Sequence, residues 1–402
     1  MEFLIILLYV IFCLFSKKKW IICSLILLFP GHLFFKNILE VFRGEVIFFP
    51  LWYDIGIFTL LIKTLLGRHC KYTMIKSLII LFLVLVVLYT STNDSEALTT
   101  LRIHLHCIAL FVIWSVANFK KEDYILFKRT IIYATLFYCL TGIIIYFFFQ
   151  WQMHLLLGHL EMTPQGWTYT SPSFQIMGFE RMFGMIGGPN QFGVYMSFTF
   201  IALLFTNRGE EHSYEKLPLV LSGICLILSF SRAGWAVSVI TIIIYNILYG
   251  KGKQFFYSII KFTMTASVAL FVLALIVPEV SEIITASITG KEASAANRGD
   301  IVKNGFDEIA TDFYGHGLGT GIDKSGPTIS ESSMVILLYE LGVFVTILYY
   351  YILLKTSFFV YKKNVWYSYL LLAFVIATLI TSVVSMNIFQ SVSYTHLRAH
   401  ET

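Results

Sequence analysis

Three arginines in this sequence lie at the start of a long apolar run or in the longest polar loop. Arg181 opens the segment Arg181–Gly193, Arg232 lies in the segment Ser229–Trp235, and Arg298 lies in the loop 278–330. An arginine near hydrocarbon costs roughly 3 kcal/mol or more, so one that is held there usually has a partner or a function. A guanidinium can hold phosphate oxygens through two parallel hydrogen bonds. Three such arginines on one side of the membrane predict a site for a phosphate-bearing, membrane-embedded substrate.

Each arginine also has a plainer interpretation. Arg181 and Arg232 could be interfacial residues whose side chains reach the lipid headgroups, and Arg298 could be an ordinary solvated loop residue. Glu331 opens an apolar run directly after the Arg298 loop. It is therefore either a general base or a charge that the N-terminus of a helix favours.

Further polar residues could support the same site. Asp54 is costly within an apolar run and is a candidate to pair with an arginine of the site and orient it. Pro189-Asn190 is expected to kink or break its helix, and the freed backbone could line a substrate cavity. Arg102 has His106 four residues later on the same helical face, so it is either a further phosphate ligand or a residue that reaches the headgroups.

The composition is that of an integral membrane protein. Of the 402 residues, 57% are hydrophobic and only 13% are charged, and the mean hydropathy is +0.76. A soluble domain could not cover its surface with so few polar residues. The net charge of +5 is therefore a topology signal and does not indicate nucleic acid. No residue spacing suggests a metal site, and no motif for a nucleotide cofactor is found.

The apolar runs predict an all-α membrane protein with about twelve spanning helices, since a span needs roughly 17–25 mostly apolar residues. The N-terminal run lacks basic residues before it and a cleavage site after it, so it is predicted to be an uncleaved span. The predicted spans are 2–15, 20–35, 46–66, 75–91, 98–117, 130–150, 183–206, 217–231, 233–249, 254–277, 331–354 and 366–390.

Basic residues sort between alternate loops. Lys17–Lys19, the Lys63–Lys76 stretch and Lys120–Arg129 fall on one side, as do the basic residues near 251 and 355–363. The positive-inside rule makes that side cytoplasmic. The loops 151–182 and 278–330, and with them Arg181, Arg232 and Arg298, are then predicted to be extracytoplasmic.

The two predicted outside loops differ in character. The loop 151–182 carries Trp151, Trp167 and Tyr169, which could stack on sugars or belong to the aromatic belt at the membrane interface. The loop 278–330 contains an amphipathic stripe of Val302, Phe306, Ile309 and Phe313. Its Gly315–Gly321 run is either a flexible return to the next span or a backbone nest for a diphosphate.

These motifs together resemble the O-antigen ligase/polymerase family, which includes Wzy-type repeat-unit polymerases. The family pattern has an arginine, a glycine and Pro-Asn entering one span, and Ser-x-Ser-Arg at the next outside hairpin. An arginine opens an outside helix that ends in Gly-x-Gly-x-Gly, and Glu-x-Gly follows in the next span. The matching residues are Arg181, Gly184, Pro189-Asn190, Ser229–Ala233, Arg298, Gly315–Gly319, Glu331 and Glu340–Gly342.

The resemblance implies a metal-independent glycosyltransferase without a cofactor. Such an enzyme polymerises polyprenyl-diphosphate-linked oligosaccharide repeat units at the outer face of the bacterial cytoplasmic membrane. Ligases of the family often carry histidine-asparagine where this chain has Glu331-Ser332, which favours a polymerase. Alternatives are a ligase that moves glycan to another acceptor and a flippase for the same lipid-linked sugars.

The resemblance also assigns roles and partners. Arg181, Arg232 and Arg298 would bind the diphosphate, Glu331 and Arg298 would be catalytic, and Asn190, Asp54 and Arg102 would support the site. The partners would be the lipid-linked donor and acceptor, membrane lipid, a chain-length regulator and a flippase.

We expect a single polytopic membrane domain over 1–390. Residues 391–402 shift abruptly from apolar to polar composition and are predicted to be a non-native tail.

Overall fold

The computed structural model describes residues 2–44, 49, 51–66, 106, 109, 113, 119–164, 166–169, 174–176, 179–206, 216–249, 264, 309, 313–318, 333–361 and 366–381. Most of these residues are helical, as the sequence predicts. The helices are α1 Glu2–Phe15, α2 Lys18–Leu28, α3 His32–Arg43, α4 Leu51–Leu65, α5 Lys121–Ile144, α6 Gln150–Leu156, α7 Pro189–Thr206, α8 Lys216–Leu228, α9 Arg232–Tyr249, α10 Ser333–Tyr361 and α11 Trp366–Thr381.

Three helical stretches are long and apolar enough to cross a membrane, namely Lys18–Phe42, Glu122–Leu156 and Met334–Lys355. Shorter apolar helices cover Glu2–Phe15, Lys216–Leu228, Arg232–Leu248 and Leu372–Thr381. Large apolar side chains such as Phe15 and Phe148, which are 86% and 73% exposed, are suited to contact with lipid. The predicted spans 75–91, 98–117 and 254–277 lie wholly or mostly outside the described residues. The number of about twelve spans therefore stays a prediction.

Helix packing forms a continuous succession through the described chain. α4 packs on α1 and α2, α2 on α5, α5 on α8, α8 on α7, α7 on α9, α9 on α11, and α11 on α10. Small residues let α7 and α9 approach closely, since the Ser197 and Ser238 hydroxyl oxygens lie 2.7 Å apart. Such close contact of small residues is typical of helix pairs in membranes. This pairing brings the starts of α7 and α9 together.

Two polar side chains satisfy backbone groups where helices are interrupted near the N-terminus. Pro30 lies in a short 3₁₀ turn, Phe29–Gly31, between α2 and α3. There the Tyr138 hydroxyl accepts from Gly31 N at 3.0 Å and donates to Leu27 O at 2.8 Å. Lys63 Nζ donates to the carbonyls of Cys13, Leu14 and Ser16 at the C-terminal end of α1. Backbone groups that a helix leaves unpaired are costly in an apolar layer.

The predicted loop 151–182 is more ordered than the sequence indicates. The helix of α5 continues through a π-helical segment, Ile145–Phe149, into α6. Two small antiparallel hairpins follow, with strands β1 Leu160–Thr163, β2 Gly166–Tyr169, β3 Gln175–Ile176 and β4 Phe179–Glu180. Leu160 pairs with Tyr169 and Gln175 pairs with Glu180. Strands this short leave little period-two signal in the sequence.

The loop 278–330 is described only at Ile309 and 313–318. Ile309 is helical and packs against Val335 and Leu338 of α10, as expected for one member of the amphipathic stripe. Phe313 instead lies in a turn and is 58% exposed. The prediction that Phe313 belongs to the helical stripe was wrong, because this residue lies in a turn.

Candidate functional site

Arg181 joins the two arginine motifs. Its side chain is buried, and Nε donates to Ser229 O at 2.9 Å. Its Nη2 donates to Asn190 Oδ1 at 2.8 Å and to Phe230 O at 3.2 Å. The two carbonyls follow the C-terminus of α8, where the helix dipole favours a cation. The structure therefore gives Arg181 a definite task, which is to hold the turn that precedes Arg232.

The turn between α8 and α9 is strained and tightly bonded. Phe230 adopts φ 46°, which is unusual for a residue other than glycine. The Ser229 hydroxyl donates to Leu226 O at 2.7 Å, and Ser231 Oγ accepts from Gly234 N at 3.1 Å. The second bond is an N-terminal cap for α9. The two serines of the motif thus close one helix and start the next.

Arg232 is the first residue of α9 and is half-buried. It follows the Ser231 cap directly, so its charge adds to the positive end of the α9 dipole. α7 lies against this point, because a Cβ on Gly193 would meet Ser231 Cβ at 2.2 Å and one on Gly234 would meet Gly193 O at 2.7 Å. The glycines let two helix N-termini meet beside Arg232. A pair of helix starts with a cation between them suits an anionic group.

Pro189 begins α7 and does not kink it. The predicted span 183–206 was therefore too long at its start, and the expectation that Pro189-Asn190 breaks a helix was wrong. Residues 181–188 are non-helical, with Gly184 at φ 56° and Gly187 at φ 82°. Proline suits a first helical position because its missing N–H is not needed there. Asn190, in the first turn of α7, accepts a hydrogen bond from Arg181.

A buried histidine pair lies beneath this segment. His154 Nδ1 and His159 Nδ1 are 3.2 Å apart, and the His159 ring stacks on Phe174 at 4.0 Å. Phe174 O in turn accepts from Arg181 N at 3.0 Å. Burial, followed by the proximity of His154, lowers the pKa of His159 to about 3, against the opposing effect of a hydrogen bond to the Gly187 backbone. For one nitrogen to donate to the other, the accepting ring must be neutral.

This histidine pair predicts that stability falls in acid. The pKa of His159 is lower in the folded protein than its unfolded value of about 6.5, so the unfolded state binds more protons below that pH. The free energy of unfolding should be constant above about pH 7 and fall by up to about 1.4 kcal/mol per pH unit below pH 6. Thermal unfolding of the purified protein in detergent as a function of pH measures this. His159→Phe keeps a ring on Phe174 and should flatten the slope; an unchanged slope would assign the acid sensitivity elsewhere.

α10 is broken at Gly342, where φ is 70° and ψ is 173°. The segment 313–318, here called the inserted segment, fills the break. His316 N donates to Tyr339 O at 2.8 Å, Gly317 N to Glu340 O at 3.1 Å, and Val343 N to Phe313 O at 3.1 Å. Thr346 Oγ1 donates across the break to Leu337 O at 2.9 Å. The backbone groups freed by the break are thus satisfied, as an apolar environment demands.

This packing changes the reading of the Gly315–Gly321 run. The described part is a packed contact, so the expectation of a flexible return was wrong there. A diphosphate nest at His316 and Gly317 was also wrong, because those amides donate to helix carbonyls. Gly315 has φ 84°, and a Cβ on it would lie 2.4 Å from Gly342 N. Glycine is therefore needed on both sides of the contact.

The remaining predicted residues are placed as follows. Asp54 Oδ1 lies 2.6 Å from His106 Nε2, and both side chains are buried. Asp54 thus contacts a histidine of the predicted fifth span, and its pairing with an arginine of the site stays a prediction. Arg102, Arg298 and Glu331 lie outside the described residues, so their roles stay predictions. The structure brings together Arg181, Asn190 and the turn before Arg232.

Sequence reasoning missed the histidine pair and the inserted segment. His154 and His159 are five residues apart in the amphiphilic region after α5, a spacing without a chemical signature. The Glu340–Gly342 motif was noted, and a glycine within an apolar run is a known signal for a break or close approach. The apolar run itself does not show which segment of the chain approaches Gly342.

Residues 217–350 match the family model described as O-antigen ligase. Neither the curated proteins nor the solved structures contain a match to this chain. The matched residues include the α8–α9 turn, Arg232, the inserted segment and the break in α10. The resemblance to the O-antigen ligase/polymerase family that the motifs predict is thereby confirmed over residues 217–350.

Proposed function

We propose that this protein is a membrane glycosyltransferase that polymerises polyprenyl-diphosphate-linked oligosaccharide repeat units at the outer face of the bacterial cytoplasmic membrane. The family match supports a membrane function in polymerising or ligating glycans. The observation that carries the proposal is the contact between Arg181 and the Ser229–Phe230 carbonyls. It places two arginine motifs at one turn between apolar helices, where a lipid-linked diphosphate could be bound.

The reaction needs charge placement more than covalent chemistry. An acceptor sugar hydroxyl attacks the anomeric carbon of the donor, the bond to the diphosphate oxygen breaks, and the lipid diphosphate leaves with the electron pair. Arg232 at the start of α9, together with Arg298, would stabilise the charge that grows on the leaving group. Glu331 would take the proton of the attacking hydroxyl. Arg181 would keep the α8–α9 turn in place and contribute its positive charge.

Ligation of finished glycan onto a different acceptor is the second candidate. The family model that matches residues 217–350 is itself described as O-antigen ligase, and this description supports ligation as the alternative reaction. The carboxylate at Glu331, where related ligases often carry histidine, favours polymerisation. A flippase is less well supported, since transporters usually have repeat symmetry and polar sites near the membrane midplane. A chain-length regulator and a flippase would be partners in the same pathway.

A deletion strain that carries plasmid-borne variants tests the proposal. Wild-type protein should restore a ladder of glycan chains, and the empty plasmid should leave single repeat units. Arg232→Lys should reduce polymer at least tenfold, because an ammonium cannot reproduce the bidentate fork. Glu331→Gln should do the same, since it keeps the shape and removes the base. Electrophoresis of the glycans and immunoblots of membrane protein levels measure the two outcomes.

Arg129→Lys is the matched control for the arginine exchange. Arg129 is exposed on α5, in a stretch predicted to face the cytoplasm, and this variant should polymerise normally. A deletion strain that still makes the full ladder would refute the proposal. If the deletion strain instead accumulates long chains on the lipid carrier that never reach another acceptor, the protein is a ligase. Full polymer from Glu331→Gln would identify Glu331 as a helix-end charge only.

A further inference from the structure

The inserted segment lies well inside the span of α10. Tyr339, whose carbonyl accepts from His316 N, comes six residues after the start of α10 at Ser333, about 9 Å along a helix axis. Irregular backbone at such depth in a membrane is tolerated only where it is buried in protein or lines a water-filled cavity. The carboxylate of Glu340 is fully buried at the same break, and a buried acidic residue in a span commonly marks a functional pathway.

The His316 side chain is exposed within the inserted segment. Gly317 and Leu318 are buried, whereas the side chains of Phe313, Tyr314 and His316 are exposed. An imidazole has two nitrogens that need hydrogen bonds, so hydrocarbon is an unfavourable neighbour for it. The exposed nitrogens of this ring at the break of α10 therefore need hydrogen-bond partners from water or from a ligand.

The orientation of the His316 ring is fixed. It stacks on the Tyr339 ring with centroids 4.1 Å apart and an angle of 7° between the planes. Its backbone amide is bonded to Tyr339 O. One face of the imidazole is thus covered, and its edge is held in place. A neutral imidazole carries one donor and one acceptor, which matches a sugar hydroxyl that both donates and accepts.

We propose that His316, seated on Tyr339 at the break in α10, binds a hydroxyl of the acceptor glycan. The proposal rests on the proposed function and adds an acceptor subsite to it, separate from the arginines that would bind the diphosphate. The pre-positioned ring binds without losing side-chain freedom, which favours affinity.

A soluble acceptor makes the subsite testable. The free oligosaccharide repeat unit, without lipid or diphosphate, can accept glycan and cannot donate it. Purified protein in detergent is given saturating lipid-linked donor, and the rate of transfer is measured against the concentration of the free repeat unit. His316→Phe keeps the stack on Tyr339 and removes both nitrogens. It should raise the KM for the free repeat unit about tenfold and change kcat less than twofold, since one hydrogen bond in binding is lost.

Two further variants separate binding from structure. His316→Gln retains a donor and an acceptor without the ring and should restore part of the acceptor affinity. His212→Phe, at a position between α7 and α8 in the sequence and on the predicted opposite side, is the matched control and should keep the wild-type KM. An unchanged KM in His316→Phe would overturn the subsite. Absence of transfer by the wild-type protein would instead overturn the proposed function, so the two failures are distinguishable.

Discussion

Arg181→Ala is expected to destabilise the protein and abolish polymer formation together. The variant leaves the carbonyls of Ser229 and Phe230 and Oδ1 of Asn190 without the bonds that Arg181 donates. Hydrogen bonds from a charged group are worth about 1.5–3 kcal/mol each, and unsatisfied buried partners add to the loss. We expect a loss of on the order of 3 kcal/mol or more in the free energy of unfolding. Thermal unfolding in detergent and glycan electrophoresis at matched protein levels measure both effects.

Arg181→Lys separates the holding of the turn from simple charge. Lysine keeps the positive charge but cannot reach two carbonyls and an amide oxygen with one planar group. It should lose at least half of the stability that Arg181→Ala loses, and at least tenfold in polymer. Arg129→Ala, on exposed α5 surface, is the control for arginine removal and should change neither quantity. If Arg181→Ala unfolds at the wild-type temperature yet makes no polymer, Arg181 is a diphosphate ligand and the turn does not depend on it.

Gly342→Ala should be the most damaging conservative change in α10. Gly342 adopts φ 70°, and a Cβ on it would lie 2.5 Å from Tyr314 C and O and 2.6 Å from Phe313 O. None of these three backbone atoms can move away without breaking the hydrogen bonds of the inserted segment. We expect a destabilisation on the order of 3 kcal/mol or more, with loss of polymer, because the strained conformation and the clash combine.

The partner glycine provides a coupling test. Gly315→Ala should cause a similar loss, since its Cβ would meet Gly342 N at 2.4 Å. The double variant should cost little more than either single one, because both remove the same contact. Gly223→Ala in α8 is the matched control, as its Cβ would meet Phe200 Cε2 at an ordinary 3.4 Å. Additive losses in the double variant would show that the inserted segment and the break in α10 act independently.

The described site is a junction between helix ends more than a collection of charged side chains. Ser231 caps α9, Arg181 binds the carbonyls that end α8, and Pro189 starts α7 beside them. The side chains of Arg181, Ser229 and Ser231 each bond backbone groups in this junction, which gives Arg232 a rigid base. Preorganised positive charge of this kind is what a reaction with a diphosphate leaving group requires.

Local features of the sequence determined the helical architecture and the position of the arginine motifs. The apolar runs of α8 and α9 are separated only by Ser229–Ser231, and hydrophobicity over a span is a property of neighbouring residues. The turn residues also act locally, since Ser231 caps the helix that follows it. The family resemblance could be recognised for the same reason, because each of its motifs is a short run.

Tertiary structure alone decided what these motifs bind. Arg181 donates to a carbonyl 48 residues later in the chain, and Asp54 contacts His106 of the predicted fifth span. The break in α10 needed a partner for its freed carbonyls, and the inserted segment supplies it from the preceding loop. Hydrophobic periodicity records which face of a helix is apolar. It does not show which distant backbone groups bond the carbonyls that are freed where a helix breaks at a glycine, because that partner depends on how the helices pack.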